Sequence, residues 1–170
     1  MKPIINLEQL QPRLITQPPN ESPEKYRGAQ MAEIAEHIGA QKLGYNLTIV
    51  PPCKTAFPFH NHYGNEEMFF ILQGTGEVRI GAEDYPIRTG DFIACPVGGP
   101  ETAHQIRNTS ETEELRYLAV STMIYPDLYQ YPDSGKTGAS HFLGHDANGI
   151  PQVVRLRNKE ENNLGYWEGE

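Results

Sequence analysis

Apolar and polar residues alternate in short runs through the middle of the chain, which is the spacing of half-buried β-strands. The first run, 45–50, places Tyr45, Leu47 and Ile49 on one side and ends at a Pro-Pro pair. Further runs, separated by turns rich in Gly, Thr and Asp, lie at 67–72, 77–80, 85–87, 92–94, 103–108 and 115–123. Many short strands joined by such turns favour a closed or rolled all-β barrel, which leaves no exposed strand edge.

The two ends of the chain lack this regular spacing. The first residues are rich in proline, so we expect an extended arm there rather than a helix. The segment 28–38 fits either a short helix or an edge strand. Beyond Ile124, the prevalence of Tyr, Pro, Gly and Asp predicts a loop-rich tail with one edge strand at 152–157. We therefore expect a single domain over 1–170, made of an N-terminal arm (1–41), a barrel core (42–124) and a C-terminal extension (125–170).

A candidate metal site lies just before the second run. Residues two apart in an extended strand point to the same side, so His60 and His62 present both imidazoles to one face. Glu67 joins them if residues 63–66 form a four-residue hairpin loop, which would place Glu67 across from His62. Two imidazoles and a carboxylate suit Zn, Fe, Mn, Co or Ni, and this donor set alone does not select one of them.

This stretch and a second one, 90–108, together resemble the two sequence motifs of the cupin superfamily. The first motif, G(X)5HXH(X)3-4E(X)6G, is matched from its first histidine onward by His60, His62, Glu67 and Gly74. The second motif, G(X)5PXG(X)2H(X)3N, is matched by Gly90, Pro96, Gly98, His104 and Asn108. The short interval between the two motifs is similar to that of small microbial single-barrel cupins.

The match departs from the motifs at two positions. Lys54 stands where the first motif has its initial glycine, and five residues rather than two separate Gly98 from His104. The resemblance implies an all-β double-stranded β-helix, or jelly-roll, barrel, and it favours the strand for 28–38. It also implies that His104 is the fourth ligand of one divalent transition metal. Asn108 is expected to fix a turn through its side chain.

The resemblance also limits the chemistry that we expect. Four protein ligands leave two positions open on an octahedral ion, where water or an oxygen-bearing metabolite would be polarised. The mostly apolar pocket wall is expected to comprise Tyr45, Phe57, Phe69, Ile71, Ile106 and Tyr117. No cluster of Lys and Arg is evident for this pocket, which argues against a phosphorylated substrate.

Similar proteins include dioxygenases, decarboxylases, isomerases and hydrolases, and the fold does not select among them. We favour a metal-dependent enzyme of the dioxygenase, lyase or isomerase type that acts on a small polar metabolite. The alternative is a non-catalytic sensor that binds a metal or a small molecule. No catalytic residue beyond the metal ligands can be named.

Composition narrows the partners and the location. The formal charge of -8 argues against a nucleic-acid partner and gives no attraction to anionic membranes. No membrane span or signal peptide is evident, so we expect a cytoplasmic protein. For a barrel of this kind we also expect a symmetric homodimer formed through edge strands. Cys53 and Cys95 lack metal or redox spacing. His141 and His145 are spaced for one helix face, but Gly144 disfavours that helix and with it a second metal site.

Overall fold

The computed structural model describes residues 2–15, 22–147 and 151–170, and these residues are almost entirely β-strand and turn. Parts of the predicted arm (16–21) and of the predicted tail (148–150) lie outside the described residues. The strands are β1 (Arg13–Leu14), β2 (Gln30–Glu33), β3 (Leu43–Val50), β4 (Asn61–His62), β5 (Glu67–Gln73), β6 (Thr75–Ile80), β7 (Glu83–Arg88), β8 (Phe92–Cys95), β9 (His104–Arg107), β10 (Leu115–Thr122), β11 (Asp127–Tyr131), β12 (Lys136–His145) and β13 (Pro151–Lys159). One α-helical turn, α1, spans Ala35–Ile38. Short 3-10 turns lie at Leu7–Gln9, Glu24–Tyr26, Pro100–Thr102, Pro132–Ser134 and Glu160–Asn162.

These strands form three antiparallel sheets, as the alternating pattern predicted. The sheet orders are β1-β2-β3-β10-β5-β8, β13-β12-β11-β4 and β7-β6-β9. The main apolar core lies between the six-stranded and three-stranded sheets, where Ile71 and Leu115 are fully buried. The three sheets confirm the all-β architecture.

No helix in the described ranges is long and apolar enough to cross a membrane.

Alternation along the strands decides which side chains enter this core. Phe69 and Ile71 of β5 and Tyr117 of β10 are buried in it. Tyr117 is paired with Thr48, so the side chains of β3 that face the core are those of Thr48 and of residues an even number of positions from it. Tyr45 has the opposite parity and packs in a second apolar cluster on the other side of the sheet. The prediction that Tyr45 lines the pocket is therefore wrong.

The N-terminal arm covers this second cluster. β1 pairs with β2, and Ile5 and Leu10 pack against the cluster. The segment 28–38 is a strand only in its first half, because α1 follows β2 after one residue. Gly39 ends that helical turn in the left-handed conformation, with φ of 80°, which glycine adopts at little cost.

The C-terminal extension differs most from the expectation. Most of the stretch predicted to be loop forms β11 and β12, and β13 confirms and lengthens the predicted edge strand. β11 pairs with β4, so the extension builds a sheet onto the segment that carries His62. Tyr and Pro residues suggested a loop here. Aromatic residues are, however, also common in strands, and the proline Pro132 lies in the turn after β11.

Candidate metal centre

The three sheets each deliver a polar side chain to one place in the barrel. His62 ends β4, Glu67 begins β5 and His104 begins β9. His60 precedes β4 and forms an isolated antiparallel bridge with His104, in which the two backbone N–H···O distances are 3.2 and 2.8 Å. The four residues predicted as ligands are therefore brought together from separate sheets.

Glu67 reaches the histidines by a route other than the predicted hairpin. β4 pairs with β11, whereas β5 pairs with β8 and β10, so residues 63–66 cross between sheets. The buried side chain of Asn65 holds this crossing. It donates to the carbonyl of Ile124 and accepts from the backbone N–H of Ile124 and the hydroxyl of Thr122. The hairpin prediction was wrong, but the crossing loop still places Glu67 beside His62.

One carboxylate oxygen of Glu67 faces all three imidazoles. Its Oε2 atom lies 2.9 Å from Nε2 of His104, 3.6 Å from Nε2 of His62 and 3.8 Å from Nε2 of His60. Ligand atoms of His60, His62 and Glu67 all lie within 4.8 Å of one another. In the described ranges no second group of three or more such atoms occurs, so His141 makes no second centre.

Hydrogen bonds on the far side of two rings determine which nitrogen faces Glu67. Nδ1 of His60 lies 2.8 Å from the carbonyl oxygen of Pro58, and Nδ1 of His62 lies 2.8 Å from Oδ2 of Asp127. Both oxygens accept, so each Nδ1 carries the proton. With the proton on Nδ1, Nε2 of each ring is the nitrogen directed at the cluster, as a metal ligand requires.

The charges in the cluster favour a bound cation. Burial, helped by the nearby charge of His104, lowers the pKa of His60 to about 4, so this ring is neutral at pH 7. Burial alone would raise the pKa of Glu67, but the hydrogen bond from His104 and the charges of the histidines lower it to about 2. Burial would lower the pKa of His62, but the hydrogen bond that it donates to Asp127 and the charge of Glu67 raise it. The result is an ionised carboxylate surrounded by nitrogen donors.

The five residues between Gly98 and His104 are accommodated without displacing the histidine. Pro100–Thr102 forms a 3-10 turn, and the backbone N–H of Gly98 donates to the carbonyl of His62 at 3.0 Å. The side chain of Asn61 donates to the carbonyl of Gly98 at 2.8 Å. This loop is thus tied to β4, and His104 is 3% exposed at the start of β9. Its Nδ1 atom has no hydrogen-bond partner among the described residues.

Apolar and aromatic side chains lie on one side of the cluster. The ring of Phe69 is 5.5 Å from that of His104, and the ring of Tyr117 is 5.6 Å from that of Phe69. Ile71, Ile106 and Phe57 belong to the same core. Five of the six predicted pocket residues therefore lie in the core that contacts the cluster, and Tyr45 does not.

Two other predictions about side chains can be compared with the structure. Asn108 donates to the carbonyls of Val50 and Glu113, and it accepts from the backbone of Ser110, as expected for a residue that fixes a turn. Cys53 and Cys95 are both free thiols, one exposed and one buried.

Sequence reasoning missed three residues of β11 that adjoin the cluster. Asp127 bonds to His62, the ring of Tyr129 lies 6.1 Å from that of His62, and the ring of Tyr131 lies 6.2 Å from that of His60. The available signal was the period-two spacing of these residues, which predicts a strand with all three on one face. That signal lay within a segment interpreted as loop.

Comparison with known proteins identifies the family of this barrel. The cupin domain family matches residues 46–121, which include the four candidate ligands. The chain contains a cupin domain. The jelly-roll fold expected from the resemblance is confirmed by solved cupin structures.

Relatives of this cupin carry different names. An oxalate-binding protein of Thermotoga maritima is 33% identical over 73 residues, which are 43% of this chain and 57% of that protein. The chain spans about half the length of the curated relatives that it matches. A proposed sugar phosphate isomerase of Acidithiobacillus ferrooxidans has a TM-score of 0.59 and 27% identity, covering 74% of this chain and 76% of that one. A sugar phosphate isomerase of the cupin superfamily from Silicibacter pomeroyi has a TM-score of 0.74 and 20% identity, covering 96% and 98%.

The cupin residues present here fit a divalent transition metal. Three imidazole nitrogens face one ionised carboxylate, and two of the rings are held in the tautomer that leaves Nε2 free. This mixed nitrogen and oxygen donor set is that of zinc and of non-haem iron or manganese sites. The chemistry of the donors does not select the metal.

Proposed function

We propose that this cupin protein is a metal-dependent enzyme that acts on a small polar metabolite. His60, His62, Glu67 and His104 would hold one divalent transition metal ion. The observation that carries the proposal is the position of Glu67 Oε2, which lies within 3.8 Å of Nε2 in all three histidines. A bound divalent ion would supply Lewis acidity and would lower the pKa of bound water toward neutrality.

The surrounding residues support this function in distinct ways. Asp127 keeps the proton of His62 on Nδ1, and Phe69 and Tyr117 exclude water from one side of the cluster. Relatives whose names refer to oxalate and to sugar phosphates support a ligand rich in oxygen atoms. A dioxygenase, lyase or isomerase reaction is consistent with this site. The homodimer and the cytoplasmic location stay predictions.

Metal analysis of untagged protein, purified without added metal, tests the proposed centre. We expect near-stoichiometric metal in the wild type and in His37→Ala, which changes an exposed histidine on α1. His62→Ala and Glu67→Gln should lose most of this metal. Full metal content in His62→Ala would remove His62 from the ligands, and a wild type that takes up no metal would overturn the proposal.

The identity of the metal directs the activity assay. Iron, manganese or nickel would be followed by oxygen-consumption assays with small diols, keto acids and phenols, whereas zinc would direct the assays to isomerisation and hydrolysis. A protein that retains its metal but turns over none of these compounds would instead support the non-catalytic sensor.

A further inference from the structure

One row of residues runs across the four-stranded sheet from the candidate metal centre to its outer edge. His62 of β4 is paired with Tyr129 of β11, Tyr129 with Gly138 of β12, and Gly138 with Arg157 of β13. Directly paired residues of antiparallel strands point to the same face, so Arg157 shares its face with His62. The row crosses three strand spacings, about 14 Å between its outer Cα atoms.

The aromatic ring of Tyr129 lies between the side chains of His62 and Arg157. A Cβ atom on Gly138 would overlap the ring of Tyr129, so the absence of a side chain there lets the ring lean across β12. The guanidinium carbon of Arg157 lies 6.0 Å from the centre of this ring, and the ring of His62 lies 6.1 Å from it. The ring of Tyr131 lies 5.6 Å from the same ring of Tyr129, and the side chain of Tyr131 raises the pKa of Arg157. A tyrosine hydroxyl can donate one hydrogen bond and accept others.

Three cations on this face form no ion pair with the described residues. Arg155, paired with Ser140, has the same parity as Arg157, and Nζ of Lys136 lies 5.2 Å from the ring centre of Tyr131. Among the described residues, no carboxylate lies within ion-pair distance of Arg155, Arg157 or Lys136. A chain with a net charge of -8 thus places three cations without an ion pair among these residues on the sheet face that carries His62. The sequence analysis did not bring these residues together with the site, because the pairing of β11, β12 and β13 is a long-range feature.

We propose that Arg157 and Tyr131 form a binding subsite for an oxyanion group, a carboxylate or a phosphate, of the molecule that binds the metal centre. The planar guanidinium and the phenolic hydroxyl offer several donors to such a group, and Lys136 and Arg155 add positive potential around it. The proposal rests on the proposed function and specifies its substrate class. The substrate would then carry a metal-binding oxygen near one end and an anionic group at the other.

The test measures anion binding and metal content on the same samples. Untagged protein as purified is titrated calorimetrically at low salt with inorganic phosphate, with succinate, and with succinamide as an uncharged analogue of succinate. Arg157→Gln removes the guanidinium, and Tyr131→Phe removes only the hydroxyl. Arg88→Gln is the matched control, because it changes an exposed arginine on β7.

We expect phosphate, succinate or both to bind the wild type and Arg88→Gln, and succinamide to bind far more weakly. Arg157→Gln should weaken anion binding roughly 10- to 100-fold with unchanged metal content. Tyr131→Phe should have a smaller effect in the same direction. Which of the two anions loses more affinity in Arg157→Gln distinguishes a phosphate from a carboxylate subsite.

Other outcomes separate failure of the subsite from failure of the metal centre. Equal anion affinity in the wild type and Arg157→Gln means that the anion binds elsewhere, including directly to the metal, and overturns the subsite. Absence of binding by both anions also overturns it. A wild type without metal that still binds anions in an Arg157-dependent way would support the subsite and overturn the proposed metal-dependent function.

Discussion

Asp127 connects the C-terminal extension to the candidate ligands through a single hydrogen bond. Its Oδ2 atom lies 2.8 Å from Nδ1 of His62, and its side chain is 9% exposed. The other carboxylate oxygen has no hydrogen-bond partner among the described residues, so His62 is the partner that we observe for this buried charge. An aspartate in this position fixes the orientation of the imidazole and makes Nε2 a stronger donor to a metal.

Replacing Asp127 by Asn should weaken metal binding about 10- to 100-fold, because the amide fills the same space without the charge that orients His62. Competition with a metal-chelating dye measures the affinity. Asp84→Asn is the control. Asp84 lies in the three-stranded sheet rather than in the sheet of Asp127, and it has an exposed ion pair with Arg107. If both variants bind metal as the wild type does, Asp127 has no role in positioning the ligand.

At the scale of elements, β12 holds β11 against the metal centre. Gly138 allows this packing, because an added Cβ would overlap the ring of Tyr129 and would lie 2.9 Å from the carbonyl oxygen of Leu156. Tyr129 is in turn 6% exposed and adjacent to His62. The position of the aromatic strand therefore depends on a missing side chain in its neighbour.

Gly138→Ala should lower the free energy of unfolding by roughly 1–3 kcal/mol, because the new methyl group must displace the ring of Tyr129 or the backbone of β13. Urea denaturation measures the change. Gly64→Ala serves as the control, since a Cβ at Gly64 meets open space. Equal stability of the two variants would show that the ring can move aside at no cost.

At the scale of the whole molecule, the candidate ligands lie where the three sheets meet. The six-stranded sheet supplies Glu67, the four-stranded sheet supplies His62 and the three-stranded sheet supplies His104. His60 adds a direct backbone link to His104. A metal ion bound there would join all three sheets in the folded state, and its binding would stabilise that state by mass action.

Removing the metal with a chelator should therefore lower the Tm of the wild type. At a free metal concentration of about 100 times Kd the stabilisation is about 2.7 kcal/mol, which corresponds to roughly 5–10 °C for a chain of this length. Differential scanning calorimetry measures the shift. Glu67→Gln, which lacks the carboxylate ligand, should show little response to the chelator. A similar Tm decrease in both proteins would place the stabilising metal elsewhere.

Local spacing explains why the candidate ligands could be predicted from the sequence. The period of two in an extended chain places His60 and His62 on one face without knowledge of the rest of the fold. The motif intervals then pointed to Glu67 and His104, which the structure brings to the same place. The same alternation indicated that Phe69 and Ile71 face inward, and the core contains both residues.

Strand pairing between distant parts of the chain determines which side chains face the metal centre, and the sequence did not reveal this pairing. Tyr45 lies on the more apolar side of β3, and only the packing of the arm shows that this side faces away from the metal centre. Asp127 meets His62 across 65 residues of chain, and Arg157 reaches the same face only through two intervening strands. The sequence by itself determined the strands of the barrel core and the ligand spacing, because these follow from local periodicity. Only the tertiary structure decided which strands became neighbours, because strand pairing depends on contacts between residues far apart in the chain.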